Sequence, residues 1–147
     1  MKKTNWFLIF NLLLITAGIW DTVYLTYEHF ANIIPPCPAH SVLGSFVDCG
    51  RVLQSSYATI LGFPVALIGL GYYIFLLVIL RFKPKLMLLI TPMALLASLY
   101  FLYLQLFVIK AICIYCTFSG LINLVLFILT WSTKLFSTLK QKNSSLT

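Results

Sequence analysis

Four apolar stretches, Trp6 to Tyr27, Tyr57 to Leu80, Leu86 to Ile109 and Ala111 to Trp131, occupy most of this 147-residue chain. Each is long enough to cross a bilayer as a helix, which takes roughly 20 residues at about 1.5 Å rise. In lipid the backbone N–H and C=O groups find no water, so each stretch must pair them within itself. Charged residues make up only 9% of the chain, against about 25% in soluble domains. An all-α integral membrane protein is predicted: a four-transmembrane-helix bundle with one long loop between the first two helices. Residues 1–140 read as one domain and 141–147 as a polar, frayed tail. The first stretch carries bulky Val23, Tyr24 and Leu25 where a cleaved signal needs small residues, so it reads as a retained helix.

The charges orient such a bundle. If the helices alternate, Lys2, Lys3, Arg81, Lys83, Lys85, Lys134, Lys140 and Lys142 fall on one side, and Arg51 and Lys110 on the other. Basic loops stay in the cytoplasm. Both termini and the Arg81–Lys85 turn are therefore expected inside the cell, in its inner (plasma) membrane, with the Glu28–Ser56 loop extracytoplasmic. The net charge of +7 follows from this topology. Lipid is the expected surrounding, and no nucleic-acid partner is needed, because the basic residues form short caps rather than one face.

The same topology places all four cysteines, Cys37, Cys49, Cys113 and Cys116, outside the cytoplasm, where disulfides persist. Cys113-Ile114-Tyr115-Cys116 opens the fourth stretch. Cysteines three apart on a helix share a face, and a helix N-terminus favours the thiolate. Cys113 is expected in the first turn of that helix, with Cys116 one turn deeper. Pro35-Pro36-Cys37-Pro38 cannot be helical and displays Cys37 on a stiff tip. Residues 45–53 suit a short amphipathic element on the membrane surface.

Two thiol pairs at one face can relay a disulfide, which makes a membrane thiol–disulfide oxidoreductase the leading reading. Static disulfides pinning the loop are disfavoured, because a CxxC bridge closes too small a loop to constrain the chain much. Zinc held by Cys37, His40 and Cys49 with His29 or the CxxC fits no usual ligand spacing, so no metal is expected. Buried free cysteines would not sit in a proline cage. Asp21 has two readings: an ionisable group placed for function, or one resting in the wet interface near the helix end.

Several motifs together resemble the vitamin K epoxide reductase homologues, in particular bacterial members linked to quinone-dependent disulfide formation. Cys49-Gly50-Arg51-Val52-Leu53-Gln54-Ser55 is similar to their C-x-x-V-x-x-S stretch. Leu61-Gly62-Phe63-Pro64-Val65-Ala66-Leu67-Ile68-Gly69 looks like the start of their second helix, and Tyr24-Leu25-Thr26-Tyr27-Glu28-His29 like the end of their first. Cys113-Ile114-Tyr115-Cys116, with Asn123 seven residues on, extends the resemblance over all four helices.

The resemblance implies a bundle around a quinone, ubiquinone or menaquinone. Cys37 and Cys49 would shuttle electrons from a separate extracytoplasmic thioredoxin-fold thiol oxidase. Cys113 would receive them and Cys116 would face the quinone, with Ser55, Phe63 and Asn123 near it. The vertebrate enzymes have a tyrosine where this chain has Gly120, which turns the expectation from epoxide reduction toward reduction of a respiratory quinone. Vitamin K epoxide reduction proper and a non-catalytic scaffold with structural disulfides are the competing readings.

Overall fold

A computed structural model describes residues 2–31, 33, 36 and 47–144; Cys37 lies outside the described residues. The chain forms α1 (Lys2–Ala31), a short α2 (Cys49–Leu53), a hairpin of β1 (Thr59–Ile60) and β2 (Phe63–Pro64), α3 (Val65–Phe82), α4 (Met87–Tyr103) and α5 (Ile114–Ser144). A π-helical segment, Leu104–Ile109, prolongs α4. Four helices among the described residues are long and apolar enough to cross a membrane. The fold is that of an all-α membrane protein.

Three boundaries differ from those the hydropathy suggests. The second apolar stretch does not begin as helix. Tyr57 to Pro64 instead forms a 3-10 turn and the hairpin, which reverses at Leu61 and Gly62, both with positive φ. Glycine accepts that backbone readily. Pro64, expected inside the first turns of the helix, stands just before it as its N-cap. α5 begins at Ile114, so Cys113 precedes the helix rather than lying in its first turn. α5 also continues to Ser144, past the point where fraying was expected. No glycine or proline interrupts residues 131–144, and polar residues such as lysine and glutamine propagate a helix well.

α1 packs chiefly on α3 and α4 on α5, while α1 also meets α5; α3 and α4, adjacent in sequence, touch little. Tyr73 joins three of these helices. Its ring lies against the backbone of Gly18 on α1, where an added Cβ would come within 2.5 Å of the ring. Its hydroxyl shares a 2.8 Å hydrogen bond with Ser119 Oγ on α5. Ile15, Leu76, Ile79, Met87, Ile122 and Leu126 pack with it toward the end of the bundle away from the cysteines. Trp6, Leu13, Leu89, Met93 and Leu96 point outward, as apolar side chains facing lipid do.

Candidate redox site

Cys49 opens α2, and Asp48 caps that helix: its Oδ1 accepts the Arg51 N–H at 2.9 Å. Aspartate is a favoured N-cap because it satisfies an otherwise orphaned helix donor. The residues before α2 are fastened to the far side of the bundle. Val47 pairs with Ile112 in a parallel bridge, and the Asp48 N–H donates to the Ile112 carbonyl at 3.2 Å. Ile112 immediately precedes Cys113, so one backbone contact draws both cysteines together. Cys49, Val52, Ala111 and Cys113 form one buried cluster, with both sulfur residues at 0% exposure. Cys49 is engaged in a disulfide, whereas Cys113 and Cys116 are free thiols.

Cys113 takes the place that serine or aspartate usually fills before a helix. Its carbonyl accepts the first helical bond, from Thr117 N–H at 3.0 Å, and its sulfur accepts the Cys116 N–H at 3.5 Å. The hydrogen bond from the Cys116 side chain, helped by the backbone N–H groups of Cys116 and Tyr115, holds the Cys113 thiol below its usual pKa, although burial works against it. The reduced pair therefore favours a thiolate on Cys113.

The approach to Cys113 is built by Gln105, which the sequence reading passed over. The chain leaves the π-helical segment through Lys110, whose φ of 55° is left-handed, a conformation that costs a non-glycine residue about 1–2 kcal/mol. The N–H groups of Lys110 and Ala111 both donate to the Gln105 carbonyl. The Gln105 side chain then accepts the Cys113 N–H through Oε1 at 2.8 Å. An amide between Leu104 and Leu106 in an apolar stretch was the available signal, since polar groups are costly there.

On the other side of the CxxC, Cys116 lines a cavity of about 490 Å³ between the four long helices. Ser55 and Asn123 line it as well. Phe63 does not. Its side chain is 60% exposed on β2, and the next residue, Pro64, reaches the cavity in its place. The Ser55 hydroxyl donates to the Val52 carbonyl at 2.7 Å, which leaves it only acceptor capacity. Asn123 Nδ2 donates to Ser98 Oγ at 2.9 Å.

Three polar atoms of the lining have no partner: Asp21 Oδ2 from α1, the Tyr72 hydroxyl from α3 and Asn123 Oδ1 from α5. Asp21 is thus buried in the bundle, not resting in a wet interface. Above the CxxC, Tyr115 packs on Tyr24 with ring centroids 5.3 Å apart and donates its hydroxyl to the Pro36 carbonyl at 3.1 Å. That bond ties the loop to α5 one residue before Cys37.

The profile of the Vitamin K epoxide reductase family matches residues 9–131. The chain belongs to that family. The match takes in the four apolar helices together with Cys49, Cys113 and Cys116. Family membership makes this an oxidoreductase of membranes, of the thiol–disulfide and quinone class in general. No curated protein matches the chain.

Proposed function

We propose that the protein oxidises a separate extracytoplasmic thiol oxidase of thioredoxin fold and passes the electron pair through two cysteine pairs to a membrane quinone. The observation that carries this reading is the setting of the CxxC between a buried cysteine and a cavity. Cys113 lies in one buried cluster with Cys49, and Cys116, packed against that cluster, also lines the cavity. Electrons entering through Cys49 have a short way in, and Cys116 has an apolar chamber before it.

The steps are thiol exchanges, each needing a thiolate and access to the target sulfur. A partner thiolate attacks the Cys37–Cys49 disulfide at Cys37 and releases Cys49. The partner's second thiolate attacks its own sulfur in that mixed disulfide, and the partner leaves oxidised as Cys37 is freed. Cys49 then attacks Cys113 of a Cys113–Cys116 disulfide and releases Cys116. Finally Cys37 attacks Cys49, which releases Cys113. A thiol of lowered pKa leaves faster, so the hydrogen bonds on the Cys113 sulfur favour this last step.

The cavity suits a quinone. Its walls are mostly apolar, and two of its lining residues keep donor capacity for a carbonyl oxygen: Tyr72, whose hydroxyl has no partner, and Asn123, which spends one amide hydrogen on Ser98. A bound quinone accepts the electron pair and two protons. Ubiquinone and menaquinone both meet this description. With the basic residues of both termini and of the Arg81–Lys85 turn in the cytoplasm, the exchange takes place outside the inner membrane, where such partners work.

The test is to trap the Cys37→Ala variant while it reacts with reduced partner or a small dithiol. A Cys49–Cys113 bridge should accumulate, because the thiol that resolves it is gone. Peptide mapping that found Cys49 joined to Cys116 instead would overturn the assigned order.

A further inference from the structure

Asp21 is the one acidic residue set deep within a spanning helix whose carboxyl also lines the cavity. It is 9% exposed, and Oδ2 has no partner. The cavity lining includes Tyr72 and Tyr73 on α3, Ser98 on α4, Cys116 and Asn123 on α5, and Thr22 and His29 on α1. Of the lining residues His29 alone can carry positive charge, and it stands about two turns along α1 from Asp21. Thr22 returns its hydroxyl to the Gly18 carbonyl at 2.8 Å, and Tyr73 shares its hydroxyl with Ser119. Asp21 nevertheless interacts electrostatically with both Cys113 and Cys116. A buried polar oxygen without a partner is costly, and the residue that holds it lines the same cavity as the deeper thiol.

We propose that Asp21 is the proton-transfer carboxyl of the cavity, taking a proton from the Cys116 thiol and handing it to the ligand oxygen. The inference rests on the reading of the cavity as a quinone site. With Cys113 as thiolate and Cys116 as thiol, closing the disulfide forms one S–S bond and gives up two electrons and one proton. The two electrons go to the quinone together with that proton, and the second proton comes from the water outside the membrane, where Cys113 lost its own. The Cys116 proton passes through Asp21, which starts and ends as carboxylate. A carboxyl that lines the same cavity as the thiol gives the thiol proton a route to the ligand that does not depend on a water molecule.

Two measurements test this on purified protein carrying Cys37→Ala and Cys49→Ala, so that only the CxxC reacts. The first follows single-turnover oxidation of the reduced CxxC by a short-chain quinone. Asp21→Asn should slow it by about 100-fold, within the range of general acid–base effects. Asp21→Glu should recover most of the rate. The second uses no quinone: an infrared difference spectrum between dithiol and disulfide forms should contain a carboxylate-stretch difference band, from Asp21 sensing the loss of the Cys116 S–H, that Asp21→Asn removes. A merely structural aspartate would lower thermal stability without giving that band. If Asp21→Asn keeps both the wild-type rate and the wild-type difference spectrum, the role of Asp21 is overturned and the quinone site stands. If the protein with Asp21 intact cannot reduce quinone from its dithiol, the quinone reading itself falls, and this inference with it.

Discussion

The two ends of the bundle are built to different rules. At the end away from the cysteines, regular helices meet through Leu76, Ile79, Met87 and Leu126, and polar side chains such as Thr91 and Thr130 return their hydroxyls to the preceding turn. At the cysteine end the backbone is irregular: a π-helical segment, a left-handed Lys110, a hairpin before α3 and a single β-bridge. In a membrane such backbone is tolerated only where it is buried in protein or lines a cavity. The comparison teaches that the closed end supplies cohesion, while the open end uses its irregular turns to set sulfur atoms and free polar atoms around one chamber.

The sharpest way to break this comparison is to separate the two faces of the CxxC. Cys116→Ala should abolish both partner oxidation and quinone reduction. Cys49→Ala should abolish partner oxidation yet leave quinone reduction by a small dithiol nearly unchanged. Thiol trapping and quinone absorbance on the same samples read both. Equal loss of both activities in folded Cys49→Ala would make the loop a lid rather than a shuttle.

Next comes a matched pair of substitutions at the two ends. Gln105→Leu removes the acceptor of the buried Cys113 N–H and should cost about 1–3 kcal/mol of stability. It should also slow thiol exchange by about tenfold, because Cys113 loses its placement. Thr91→Val at the closed end removes a hydroxyl bonded only to its own helix and should cost about 1 kcal/mol or less, with activity intact. Thermal unfolding in detergent and turnover together check the contrast.

A third expectation concerns the Cys113 thiolate. Its pKa is lowered chiefly by the Cys116 side chain, so in a Cys37→Ala, Cys49→Ala background thiolate absorbance should develop below the usual thiol pH. Replacing Cys116 with alanine as well should move that midpoint up, leaving less Cys113 thiolate at neutral pH. An unchanged midpoint would show that the helix N–H groups alone hold it down.

The smallest effect is expected at Tyr115. Tyr115→Phe keeps the ring packed on Tyr24 but loses the bond to Pro36. It should slow partner oxidation by about threefold, the scale of a single partly exposed hydrogen bond of ~0.7 kcal/mol, without touching dithiol-driven quinone reduction. A steady-state comparison of the two assays distinguishes it from a packing defect, which would lower both.

What the sequence by itself determined is the membrane class and the number of apolar spans. Hydropathy summed over some 20 residues is a strong local signal. The second stretch misled at Tyr57 to Pro64 because apolar content is shared by a spanning helix and a hairpin, and only the turn at Leu61 and Gly62 separates them. Phe63 was expected near the cavity from the resemblance, but on the hairpin its side chain is exposed and the neighbouring Pro64 lines the cavity. Tertiary structure alone decided that Cys113 shares a cluster with Cys49 while Cys116, three residues on, meets the cavity. It also decided that Gln105 holds the Cys113 backbone, that Asp21 lines the same cavity with one carboxylate oxygen left without a partner, and that Tyr73 binds three helices. These are contacts between residues far apart in the chain, and no local pattern encodes them. They arise because buried polar atoms must find partners across the bundle, and three of the residues that keep an atom without one, Asp21, Tyr72 and Asn123, line the cavity.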